Sequence, residues 1–126
     1  MYAAVPQWCP KPLKTYKKQT NVDFKVQTNE FVPDDEILAF MNRFEHILVH
    51  LDIDVLDAAL FHSTYFAKKL VGDGSGGGKM TIEKLAAALK CITDNSDVVG
   101  FTIAEYLPFD EHKLHNLFSE INMFTD

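Results

Sequence analysis

Three aspartates at spacings of two and three, Asp52, Asp54 and Asp57, follow directly on the apolar run Ile47-Leu48-Val49-His50-Leu51. In an extended strand the side chains alternate, so Asp52 and Asp54 are expected on the face that also carries His50. Two carboxylates crowded at a strand end repel each other and lose hydration, and a divalent cation relieves both problems. The plainer alternative is an acidic loop kept in solvent. Glu105 is the next residue of interest, because it ends a second apolar run, Val98 to Ala104. A strand-end glutamate beside a metal could hold a cationic group through two parallel hydrogen bonds, guanidinium above all. It could equally be solvated or paired with a lysine. His50, sharing a face with Asp52, is placed to hydrogen-bond a ligand group from behind.

Other chemistries fit less well. The glycine-rich stretch before Lys79 resembles a phosphate loop only in composition: Met80 follows Gly78-Lys79 where Ser or Thr is needed, and the segment follows a predicted helix rather than a strand. An EF-hand counted from Asp52 would need Gly at its sixth position and Glu at its twelfth, where Asp57 and Ser63 stand. An aspartyl-phosphate mechanism built on Asp52 and Asp54 would require a further acidic pair at a strand end, yet Asp94 and Asp97 precede their strand. His46 flanks the first strand. His112 and His115, three apart on a predicted helix, have no other ligand type nearby and read as surface positions.

The elements that position these acids alternate between strand and helix. Tyr2 to Val5 and Asp23 to Thr28 read as short strands, with at most a short helix around Leu13 to Lys18 between prolines. Pro33 followed by Asp34, Asp35 and Glu36 opens a helix with Ile37, Leu38, Met41 and Phe44 on one side. The strand Ile47 to Ile53 is hydrophobic on both faces, as in the middle of a parallel sheet. Ser63 to Leu70 reads as helical, and Gly72 to Gly78, with five glycines, as a connector. Thr81 caps a helix lined by Ile82, Leu85, Leu89 and Ile92. After the strand Val98 to Ala104, Asp110 caps a last helix whose inner side is Leu114, Leu117, Phe118 and Ile121. The expected fold is α/β, a three-layer α/β/α arrangement with a mainly parallel sheet, as one domain over residues 1–126 with an irregular first segment at 1–22.

Bulk properties narrow the partners. The formal net charge is −6 over 126 residues, which disfavours a nucleic-acid surface. The lysines Lys11, Lys14, Lys17 and Lys18 alternate with polar residues and read as a solvated face. No apolar run approaches the roughly 20 residues that span a bilayer, and no secretion signal is evident, so no membrane association is expected. Cys9 and Cys91 are far apart and form no metal motif, and the simplest context is a reducing cytoplasm. Cys91 falls in a helical pattern and reads as packing.

The segment His50-Leu51-Asp52-Ile53-Asp54-Val55-Leu56-Asp57 resembles the C-terminal metal motif of the arginase family, the ureohydrolases, which reads Asp-x-Asp-x-x-Asp-Pro. The elements beyond it also come in a similar order: a Gly-rich loop, a Thr-initiated helix, a Val-Val-Gly-Phe strand, and Ala104-Glu105-Tyr106-Leu107-Pro108. The likeness spans about Ile47 to Phe124 and is looser over the first forty residues. It implies a partial arginase-like fold and a binuclear Mn2+ site in which Asp52 and Asp54 are metal ligands and Asp57 is an orienting acid. It further implies that the metals acidify a water whose hydroxide attacks the guanidinium carbon of arginine, agmatine or a related small guanidino substrate. Glu105 would hold that guanidinium, and His50 would stand behind the ligands.

The departures are as informative. Ala58 stands where the motif has Pro, and the family's Gly-Gly-Asp-His and Asp-Ala-His-x-Asp motifs do not occur. Asp52 and Asp54 would therefore supply half of the ligand set, and the expectation is a C-terminal portion of a ureohydrolase, inactive alone. The alternative is a free-standing assembly or binding domain with a vestigial metal site. That alternative predicts a stable fold without metal and a defined partner, and a half sheet with an uncovered edge is expected to self-associate or form a homo-oligomer.

Overall fold

The structure is a computed structural model that describes residues 31–67 and 77–124. The chain divides into two compact units, Met1–Pro33 and Asp34–Asp126. The strands expected at Tyr2 to Val5 and Asp23 to Thr28, the short helix between them, Cys9, the N-terminal lysines and Gly72 to Gly76 lie outside the described residues. Among the described residues of the second unit the fold is mixed α/β, with three helices, α1 (Asp34–Met41), α2 (Ile82–Asn95) and α3 (Glu111–Ser119), and two parallel strands, β1 (Ile47–Asp52) and β2 (Val98–Ala104). None of the described helices is long and apolar enough to cross a membrane.

Local chemistry explains the boundaries. Three acids occupy the first turn of α1, where they oppose the positive end of the helix dipole. That helix ends at Met41, one turn short of the expected stripe. Phe44 is left 49% exposed, with Arg43 lying over the rings of Phe40 and Phe44 at 5.5 and 5.4 Å. Thr81 caps α2 as expected, its Oγ1 accepting from Lys84 N at 3.3 Å. Leu85 and Leu89 of α2 and Leu114 and Leu117 of α3 are buried, together with Leu51, Ile53, Leu56, Phe61 and Ile121. Phe101 of β2 meets Phe118 and Phe124 edge-on at 5.6 and 5.3 Å, tying the last turn to the sheet.

Two expectations change. Ser63 to Ala67 forms bends and a turn instead of the first part of a helix, and Lys68 to Leu70 lie outside the described residues. The reason is that Ser63 is bonded elsewhere: its carbonyl accepts from Leu107 N at 2.8 Å, and its Oγ accepts from Phe109 N and Asp110 N. Strand β1 is also more exposed than a central strand should be, as seen among the described residues. It pairs with β2 from Ile47↔Val98 to Asp52↔Ala104. Val49, Leu51 and Phe101 face the core, whereas Leu48 on the opposite face is 78% exposed. Its apolar run therefore fills one face and leaves the other open.

Candidate functional site

Both acidic strand ends fall at the same end of the sheet, because the two strands run parallel and Asp52 is in register with Ala104, the residue before Glu105. Ligands of open α/β sheets collect at this carboxyl end. Strand geometry stops at Asp52. Ile53–Val55 forms a 3-10 turn capped by Asp52, whose Oδ1 accepts from Asp54 N at 2.9 Å. The expected alternation therefore does not extend to Asp54: in the turn Ile53 is fully buried, and Asp54, itself half-buried, has its Oδ1 buried.

The turn is held by glycines. Gly78 N donates to Asp54 O at 2.6 Å, Met80 N to Val55 O at 3.1 Å, and Asp57 N to Met80 O at 2.9 Å. A Cβ on Gly78 would lie 1.8 Å from Val55 O, so the two backbones can approach only where no side chain intervenes. Gly77 adopts φ +86°, in the left-handed region that glycine enters without steric cost. The glycine-rich segment thus ends as a backbone clasp on the acidic turn. Its composition was the signal, although composition alone read as a connector.

Asp54 is the electrostatic centre of the site. Its Oδ1 is buried and has no hydrogen-bond partner among the described residues. Its carboxyl is pushed up from 3.8 to about 6, first by loss of hydration and then by the negative charges of Asp52 and Glu105. Asp52 and Glu105 are both exposed. Glu105 also has φ +59°, a left-handed backbone that is sterically costly for any residue with a Cβ. This outlier was not legible in the sequence.

The remaining candidates have structural partners. His50 Nδ1 lies 2.7 Å from Thr102 Oγ1, bridging the strands on the open face that it shares with Asp52. Asp57 Oδ1 accepts from Ala59 N at 2.8 Å, and its carbonyl accepts from Leu60 N and Phe61 N, so it closes its own turn. His46 Nδ1 meets Asp97 Oδ2 at 2.8 Å across the start of the sheet. His112 and His115 are exposed on α3. Cys91 is half-buried in α2, and loss of hydration raises its thiol pKa.

Asp110 occupies the N-cap position of α3 as expected, its carbonyl accepting from Lys113 N and Leu114 N, but its side chain caps no helical N–H. Instead its Oδ2 accepts from His62 N at 2.6 Å and meets Lys113 Nζ at 3.3 Å. Burial alone would raise this carboxyl, yet the His62 and Lys113 hydrogen bonds and the Lys113 charge outweigh it and hold the pKa below 3.8.

The pair Asp52 and Asp54, with the orphaned Asp54 oxygen, has the donor chemistry of a hard cation site. Among the described residues, no group of three or more His, Cys, Asp or Glu side chains is arranged to hold a metal ion. No protein-family model matches this chain, and no curated protein matches it.

Proposed function

We propose that this chain carries the acidic half of the manganese centre of an arginase-type hydrolase acting on a guanidino compound such as arginine or agmatine. The observation that carries the reading is the Asp54 carboxyl, which is desolvated, without a hydrogen-bond partner at Oδ1 among the described residues, and raised to about 6 beside two like charges. A group in that state gains from a cation more than a solvated acid would. Asp52 and Asp54 are the residues that would hold Mn2+. The chemistry manganese supplies when bound is the acidification of water near neutral pH.

On this reading Glu105 receives the cationic guanidinium through charge-assisted hydrogen bonds. Its exposure at the sheet's carboxyl end supports access by a small substrate. His50, held by Thr102, sets the side of the sheet from which Asp52 is approached, and Asp57 fixes the exit of the acidic turn. This reading requires the other metal donors to be supplied from elsewhere, since the two further ligand motifs of that family do not occur in this sequence. The same reading extends the sheet and adds a third layer over the face where Leu48 is 78% exposed.

The alternative, a non-catalytic assembly domain, draws on that same open face. Titration of the isotope-labelled chain with Mn2+ separates the two. The expected result is weak binding with paramagnetic broadening confined to the Asp52–Asp57 turn and Glu105, abolished by Asp52→Asn. Broadening spread evenly over exposed acids would favour the assembly reading and end the manganese one.

A further inference from the structure

The left-handed backbone of Glu105 is held in place by a set of contacts that begins one residue later. Tyr106 packs on the core, and Leu107 N donates to the carbonyl of Ser63 at 2.8 Å. Ser63 is fully buried, and its Oγ accepts from Phe109 N at 3.0 Å and from Asp110 N at 2.5 Å. Asp110, 8% exposed, returns the connection by accepting from His62 N at 2.6 Å. Lys113 closes the set, donating to Asp110 Oδ2 at 3.3 Å and to Leu60 O at 2.9 Å. The segment at residues 60–63 and the segment at residues 107–113 are thus joined by a ring of hydrogen bonds centred on the buried Ser63 and Asp110.

We propose that Ser63 and Asp110 are positioning residues for Glu105: by fixing the chain at residues 107–110 they force the strand exit through a left-handed turn and hold Glu105 at the carboxyl end of the sheet, one residue past the Asp52↔Ala104 pair. Backbone strain of this kind persists only where the surroundings over-determine it. Here β2 fixes the chain up to Ala104 and the Ser63–Asp110 ring fixes it from Leu107, leaving Glu105 to absorb the change of direction. The use of that carboxylate, as a seat for a guanidinium, rests on the hydrolase reading above. The positioning itself does not.

The test uses the labelled 126-residue chain and two readouts. The amide-to-Hα coupling and the 13Cα shift of Glu105 report its φ directly. In the parent they are expected to be left-handed, in Ser63→Ala to move toward the extended values, and in Asp110→Asn, which keeps an acceptor for His62 N, to remain near the parent. Agmatine titrated into the same samples is expected to shift Glu105, with about tenfold weaker binding in Ser63→Ala. An unchanged Glu105 signature in folded Ser63→Ala overturns the positioning role. A Glu105 that responds to Ser63→Ala while agmatine perturbs nothing supports the positioning and removes the guanidino reading.

Should Ser63→Ala fail to fold, Glu105→Gly compared with Glu105→Ala decides the matter. At a left-handed position the glycine variant is expected to have an unfolding constant about fivefold smaller than the alanine variant. The reverse order would show that Glu105 is not held there.

Discussion

Asp54, two residues past the end of β1, and Asp110, at the start of α3 after β2, are the same residue type, and their environments drive them in opposite directions. Asp110 accepts from a backbone N–H and stands beside Lys113, and its carboxyl is held below 3.8. Asp54 is raised to about 6, and its Oδ1 has no hydrogen-bond partner among the described residues. Burial is common to both, so partners make the difference. The contrast separates a carboxylate used to fasten the fold from one that the fold leaves short of positive charge. Clustered strain and unmet charge are more informative about function than acidity alone.

The most damaging way to disturb this contrast is through the clasp on the Asp54 side. Gly78→Ala places a methyl inside the Val55 carbonyl, so the Asp52–Asp57 turn must open or the Gly77–Met80 segment must detach. A loss of about 3 kcal/mol or more is expected in urea denaturation. A fully stable variant would show that the two backbones do not approach as described.

Next in size is Asp110→Ala, which strands the His62 N–H and removes the Lys113 partner, at an expected cost of about 2 kcal/mol. The pH dependence has a defined sign. A carboxyl whose folded pKa is depressed stabilises the protein above its unfolded value near 3.8, and that contribution fades as pH falls through the folded pKa. The gap between Asp110→Ala and the parent should therefore be widest near neutral pH and narrow below about pH 4. A constant gap would mean that the side chain's packing, not its charge, is what counts.

Asp54→Asn carries the smallest expected effect and the opposite sign. A carboxyl raised to about 6 favours the folded state only while protonated, so its stabilising contribution is complete below 3.8 and is lost as pH rises through 6. Replacing it with the neutral isostere should raise stability at pH 7 by about 1 kcal/mol, after allowance for solvent at this half-buried group, and should change little at about pH 3.5. Thermal melts at the two pH values would show it. Equal effects at both would remove the desolvation argument on which the cation reading depends.

Much of the fold was legible because it follows from short-range rules. The alternation of apolar runs with amphipathic stretches located β1, α2, β2 and α3, and Thr81 marked the start of α2 through a cap that needs only three residues to form. The acids at positions 52, 54 and 105 were visible as acids at strand ends for the same reason. The misread positions have partners distant in sequence. Ser63 looked helical because its neighbours suit a helix, but its carbonyl and hydroxyl are taken by Leu107, Phe109 and Asp110, which lie beyond both β strands and α2. Asp110 does stand at the N-cap of α3, but nothing nearby in the chain reveals that His62 N claims its side chain.

The amino-acid order by itself determined which side chains could bear charge at the sheet's carboxyl end, since period and composition set strand ends and helix starts locally. Only the tertiary structure decided that Asp54 would be raised and unpaired, Asp110 lowered and bonded, and Glu105 bent into a left-handed turn. Desolvation, Coulomb repulsion and backbone strain all depend on distances between segments far apart along the chain, and those distances exist only once β1, β2 and the glycine clasp have come together.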